Sequence, residues 1–196
     1  DVPGDSLQTF VKVCEKNNLR KVVWFPVLRA ERVLQSFPEY GVQDIYGSPV
    51  GPRRAFLCPS HPEVREALCL MIGELVEKYE FDELELDFIR YPEILSCEIP
   101  LLSLALSPCF CKHCQKKAEQ QGIDLGEVAK ELGSIVEWHV KWLGSFGHCE
   151  DRDYVKALCE ELTRRVLENK MIQHWLSFRA RLVTDLVAEL ARIARR

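Results

Sequence analysis

The sequence predicts an α/β fold: a partial or truncated (β/α)8 TIM barrel whose C-terminal half is long and mostly helical. Three observations lead there. Lys21–Leu28, KVVWFPVL, and Phe81–Pro92, FDELELDFIRYP, both read as strands, and each follows a helix-patterned segment, which gives a βα rhythm. In the second run Leu84, Leu86 and Phe88 alternate with Glu83, Glu85 and Asp87, so acids and apolar residues take opposite faces of one strand. The chain has 196 residues, short of the ~250 typical of a closed barrel. Parallel strands are usually covered on both faces. That favours an inner face for the acids, at the strand end where barrel enzymes hold their chemistry; the competing reading is a solvated edge strand with its acids in water.

The elements follow in order. Asp5 or Ser6 caps a helix running to about Asn17. After the first strand, Arg29–Phe37 reads as a short helix or loop. The glycines and prolines between Pro38 and Pro59 mark a long irregular connection. Ser60-x-x-Glu63 has the form of a capping box, and Pro62 suits a first helical turn, so a helix runs on to Tyr79. Glu93–Pro108 is ambiguous between a short strand and a packed loop. Beyond Cys114 the patterns are helical over Lys112–Gln121, Leu125–Leu143, Asp151–Glu168 and Met171–Arg195. The last carries Trp175, Phe178, Leu182, Leu186, Leu190 and Ile193 at the spacing of a helix packed on one side. Trp138 and Trp142 also fall on helical stripes and read as core.

A hydrophobic content of 47% over this length supports a single domain, residues 1–196. Within it, residues 1–92 hold the βα units, 93–149 a Cys-rich insertion with helices, and 150–196 the closing helices. The net charge of −4 gives no basic excess, which argues against a nucleic-acid partner. No run approaches the ~18 apolar residues of a membrane span. The chain opens at Asp1 without an initiator Met and reads as the interior of a longer protein, a fragment. No motif for an organic cofactor stands out, and oligomeric state leaves no trace.

Nine cysteines, an odd number, cannot all pair internally. Cys14, Cys69 and Cys159 fall on apolar helical positions and read as small buried hydrophobes. A crowd of free thiols favours a reducing compartment such as the cytoplasm. Cys109-Phe-Cys111-Lys-His113-Cys114 is different, because three thiols and an imidazole fall within six residues. Cys111 and Cys114 form the Cys-x2-Cys spacing that zinc uses, and Cys109 supplies a third ligand. Cys97, Cys149, His148 or His113 could complete the set, with Cys97 the leading choice. A Cys97–Cys109 disulfide and plain free thiols are the competing readings. A four-ligand zinc would be a structural clip, since it leaves no open position for catalysis. There is no His-Glu-x-x-His to suggest a zinc hydrolase.

From Asn18 to Pro92 the chain resembles a group of glycoside-hydrolase-like TIM-barrel proteins. The resemblance rests on KVVWFPVL, on LCPSHPEVREAL and on FDELELDFIRYP, with CFCKHC and HWLSFRARLVTDLVAEL as further patches. A looser likeness is to chitinase-type strands, D-x-x-D-x-D-x-E. Their positions fall here on Asp82, Glu85, Asp87 and Ile89, and Ile89 stands where the proton donor belongs. An α-amylase-type likeness makes Asp87 the nucleophile, although Glu85 occupies the place of the usual arginine.

The resemblance implies a glycoside hydrolase acting on an oligo- or polysaccharide through strand-end carboxylates. Such chemistry needs two carboxyl groups, one donating a proton while the other attacks or activates water. Asp87 and Glu85 are the candidates. Arg90, Tyr91, Trp24 and His61 are the candidate sugar contacts. Each also has a plainer role: an ion pair for Arg90, rim packing for Tyr91, core for Trp24 and a helix start for His61. The alternative is a non-catalytic carbohydrate- or protein-binding module with a structural zinc clip, favoured by Ile89 and by the lack of a second acid-bearing strand.

Overall fold

Helices carry most of the chain in the computed structural model, which describes residues 4–50, 55–92, 109–146 and 152–195. Helix α1, Ser6–Lys16, begins where Asp5 accepts a hydrogen bond from the Gln8 N–H, as the sequence predicts. Strand β1, Val22–Pro26, leads to the short α2, Glu31–Ser36, and a 3-10 turn at Pro38–Tyr40. Helix α3, Pro62–Tyr79, then feeds β2, Glu83–Asp87. The remainder is helical: α4, Lys112–Glu119; α5, Leu125–Phe146; α6, Arg152–Glu168; and α7, Lys170–Ala194.

The two strands pair in parallel, with Val22 opposite Glu83, Trp24 opposite Glu85 and Pro26 opposite Asp87. They form a two-stranded sheet and nothing more among the described residues. The expectation of a (β/α)8 barrel, partial or truncated, is therefore wrong for this chain. The ambiguous run Glu93–Pro108 lies outside the described residues, and the apolar residues that follow it repeat at helical spacing. Those helices stack on one another instead of extending the sheet.

The sheet is accordingly covered on one face. Leu84 and Leu86 pack against the core formed with α3 and α7, and Phe25 is buried beside them. The other face carries Val22, Trp24, Glu83 and Glu85, all exposed, with Asp87 half-buried at its end. The acids thus lie on an open face and not on the inner wall the sequence suggested.

The core centres on α7. Ile172, Trp175, Phe178, Leu182, Leu186 and Leu190 are buried along one side of it, the stripe that periodicity marked. They meet Val64, Leu68 and Ile72 of α3 and Val128, Leu132 and Ile135 of α5. Arg65 of α3 fixes the α3–α7 contact, placing its Nε and Nη2 at 3.0 and 2.6 Å from one Glu189 oxygen.

Candidate metal centre and the strand-end face

The Pro- and Gly-rich connection after β1 is more ordered than its composition suggests. Its backbone folds back on itself through antiparallel bridges between Arg29 and Phe56 and between Gly41 and Leu57. The Leu57 N–H donates to Leu28 O at 2.8 Å, and the Cys58 N–H donates to Tyr40 O at 2.8 Å. Cys58 is thereby carried to the N-terminal end of α3. The Cys-rich segment docks on the same connection, where the Phe110 N–H donates to Gln43 O at 3.0 Å and the Gln43 N–H reaches Cys109 Sγ at 3.3 Å.

These two approaches bring Cys58, Cys109, Cys111 and Cys114 together. All four are buried free thiols, and their sulfurs lie within 4.8 Å of one another. Cys58 Sγ stands 3.5 Å from Cys111 Sγ and 3.6 Å from Cys114 Sγ. A tetrahedron with metal–sulfur bonds of about 2.3 Å has edges of about 3.8 Å, so the spacing fits one metal ion and is far too long for a disulfide. The fit extends to the donor chemistry, because four thiols in one dry pocket share a common difficulty. Burial and the neighbouring thiols push Cys109 and Cys114 well up, while hydrogen bonds from Cys109, Cys114 and Cys58 pull Cys111 far down. A dication at the centre of the group would allow all four sulfurs to ionise.

Backbone and hydroxyl groups support the sulfurs. The Ser60 and Cys111 N–H groups lie 3.4 Å from Cys58 Sγ and Cys109 Sγ respectively. Ser60 Oγ lies 3.1 Å from Cys114 Sγ. The expected capping box is displaced as a result: Ser60 is occupied at the cluster, and His61 takes the N-cap position of α3 without a side-chain cap bond.

Three of the four cysteines expected to bind metal are thus in the cluster. The fourth expected ligand, Cys97, lies outside the described residues, and Cys58 fills that place. The signal for Cys58 was its position in a Pro-flanked turn, off any helical stripe, in a chain where Cys109, Cys111 and Cys114 need one more ligand.

The candidate sugar contacts divide between two places. At the end of β2 the Trp24 Nε1–H donates to Asp87 Oδ2 at 3.0 Å, and the Phe88 N–H donates to Asp87 Oδ1 at 2.6 Å. Phe88 has a left-handed backbone, φ 49°, unusual for a bulky residue. Its ring meets Trp24 edge-on at 6.1 Å, and the guanidinium groups of Arg29 and Arg90 stand 5.0 and 5.9 Å from its centroid. Trp24 is 55% exposed, which removes the reading of it as core. Glu85 lies on the same open face, opposite Trp24.

Tyr91 and His61 are elsewhere. The Tyr91 hydroxyl is shielded from solvent and its ring packs on Arg179, so it does not line the rim. His61 is buried, with Nδ1 at 2.7 Å from Glu63 Oε2 and its ring against Tyr40 and His113. Sequence reasoning missed Arg29 and Arg179. Arg179 could have been noticed as a charge four residues after Trp175 on an apolar stripe.

Among the described residues no helix is long and apolar enough to cross a membrane. No family model matches the chain, and no match was found among the curated proteins or the solved structures.

Proposed function

We propose that the chain is a carbohydrate-binding module stapled by a structural zinc ion. The carrying observation is the exposed Trp24 indole, pinned through its ring N–H to Asp87, opposite Glu85 in register and edge-on to Phe88, whose ring Arg29 and Arg90 approach. A sugar ring offers an apolar C–H face and a rim of hydroxyls. A fixed aromatic plate suits the first, and carboxylates and guanidinium groups suit the second. Zinc is the metal chosen because four thiolates in a closed tetrahedral set are its usual structural environment. It would hold the Cys-rich segment against the turn at Cys58.

Binding is read on an array of neutral and acidic oligosaccharides with the zinc-loaded protein. Trp24→Ala is expected to lose at least tenfold in affinity for whichever oligosaccharide binds, with unchanged thermal stability. A protein that binds none of them, or a variant that binds as well as the parent, removes the proposal.

A second reading is glycoside hydrolysis with Asp87 and Glu85 as the carboxylate pair. Its specific support is the left-handed Phe88 directly after Asp87, since strained backbone is often held in place at functional sites. Asp87→Asn should then abolish release of reducing sugar while binding persists. Turnover that survives in this variant rules the reading out.

A further inference from the structure

We propose that Ser60 is a positioning residue of the metal centre, whose hydroxyl donates to the Cys114 thiolate and sets how tightly the metal is held. The inference rests on the reading of the four cysteines as zinc ligands. Four thiolates around one dication leave two negative charges inside the protein. Buried charge is strongly disfavoured unless hydrogen bonds or an opposite charge offset it. A hydrogen bond to an ionised acceptor is roughly twice as strong as one between neutral groups, so donors aimed at the sulfurs matter most once metal is bound. A thiolate has no proton to give, which leaves the hydroxyl as the donor.

The placement of Ser60 matches this role. Its Oγ lies 3.1 Å from Cys114 Sγ, and the two residues are buried, at 0% and 1% exposure, so bulk water does not compete for that sulfur. The same residue turns its N–H toward Cys58 Sγ at 3.4 Å. Ser60 therefore serves two ligands that are 56 positions apart, one in the turn before α3 and one in the Cys-rich segment. The turn that carries it is fixed on both sides. The His61 N–H donates to Cys58 O at 3.2 Å, and Arg65 Nη1 donates to Pro59 O at 3.2 Å. Arg65 is itself tied to Glu189 of α7. The Gln43 and Cys111 N–H groups reach Cys109 Sγ from the main chain, and such donors persist whatever the side chain. The Ser60 hydroxyl is a side-chain donor, so a single substitution can remove it and leave the rest in place.

The plainer alternative is that Ser60 only fills space in its turn. Ser60→Ala separates the two, because it deletes one oxygen and keeps the shape of the site. Zinc affinity is measured by competition with a chromophoric chelator, and the cobalt-loaded protein gives the thiolate-to-metal charge-transfer band. Losing a hydrogen bond raises the energy of the sulfur lone pairs, which moves that band to longer wavelength. Ser60→Ala is expected to bind zinc about 10–100-fold more weakly, the range seen when outer partners of metal ligands are removed, and to show the shifted band. A second measurement needs no variant. In the parent protein loaded with cadmium-113, proton–metal correlation by NMR detects hydrogen bonds to the sulfur ligands, and the Ser60 hydroxyl proton is expected to couple to the metal. A Ser60→Ala protein with parental affinity and spectrum overturns the proposal. Weaker binding with an unshifted band overturns it too, since packing alone would produce that. So does a Ser60 hydroxyl proton with no coupling to cadmium, and that result stands even if the alanine variant fails to fold. A parent protein that binds neither zinc nor cobalt overturns the zinc reading as well, which distinguishes the two failures.

Discussion

Replacing Cys58 by alanine removes the one cluster sulfur that comes from outside the Cys-rich segment. The other three sit within six residues of one another and would hold a metal without tying it to the rest of the fold. Cys58 and Cys111 are 53 positions apart. A cross-link that closes a loop of this length restricts the unfolded chain by about 4 kcal/mol. Loss of the buried sulfur itself adds about 1 kcal/mol of packing energy. In excess zinc, Cys58→Ala should therefore be about 5 kcal/mol less stable than the parent. After metal is stripped by a chelator the two proteins should differ by only about 1 kcal/mol. Urea unfolding of both proteins in both conditions gives the four corners of the cycle, and the difference between the two gaps isolates the clip. Equal gaps with and without chelator would show Cys58 to be a packing thiol, and the reasoning would fail.

Three further outcomes follow from the rest of the fold. Leu186→Ala empties a fully buried position on α7 and should cost about 2–5 kcal/mol in urea unfolding; a loss below about 1 kcal/mol contradicts the packing described. The Arg65–Glu189 pair is partly shielded, with side-chain exposures of 17% and 30%. A double-mutant cycle on it should return a coupling of about 1 kcal/mol, and zero coupling would mean that α3 and α7 are held by apolar contact alone. Asp5 accepts hydrogen bonds from the Gln8 N–H and the Tyr79 hydroxyl, which hold its carboxyl below its ordinary value of 3.8. A carboxyl lowered in the folded state contributes stability at pH above 3.8, and that contribution is lost as pH falls through the folded value. Asp5→Asn should flatten this part of the acid limb, and an unchanged acid limb would show that the capping carboxylate carries none of the pH dependence.

Local patterns in this sequence translate well into local structure. Asp5 caps α1, the Trp175-to-Leu190 stripe is the core face of α7, and the acidic run of β2 alternates as written. The fold class did not translate, because alternation says which residues share a face and not what covers that face. Glu85 and Asp87 alternate identically on the inner wall of a barrel and on the open side of a two-stranded sheet. The metal centre was half legible. Cys-x2-Cys is a short-range signal, whereas Cys58 joins it only because the segment between Tyr40 and Leu57 pairs backbone to backbone. No residue spacing records that pairing. Ser60 shows the same limit: its motif reads as a helix cap, and tertiary contact with Cys114 takes the hydroxyl elsewhere. The surroundings of Arg179 were illegible for a related reason, since the rings it packs against, Tyr91 and Trp175, lie far apart in the chain.

The central claim is a single zinc ion held by Cys58, Cys109, Cys111 and Cys114. X-ray absorption at the zinc edge on the purified, zinc-loaded protein tests it most directly. The account predicts one equivalent of zinc surrounded by four sulfur atoms at about 2.3 Å, with no nitrogen or oxygen neighbour. Failure to retain zinc, or a shell in which nitrogen or oxygen replaces any of the four sulfurs, would contradict it.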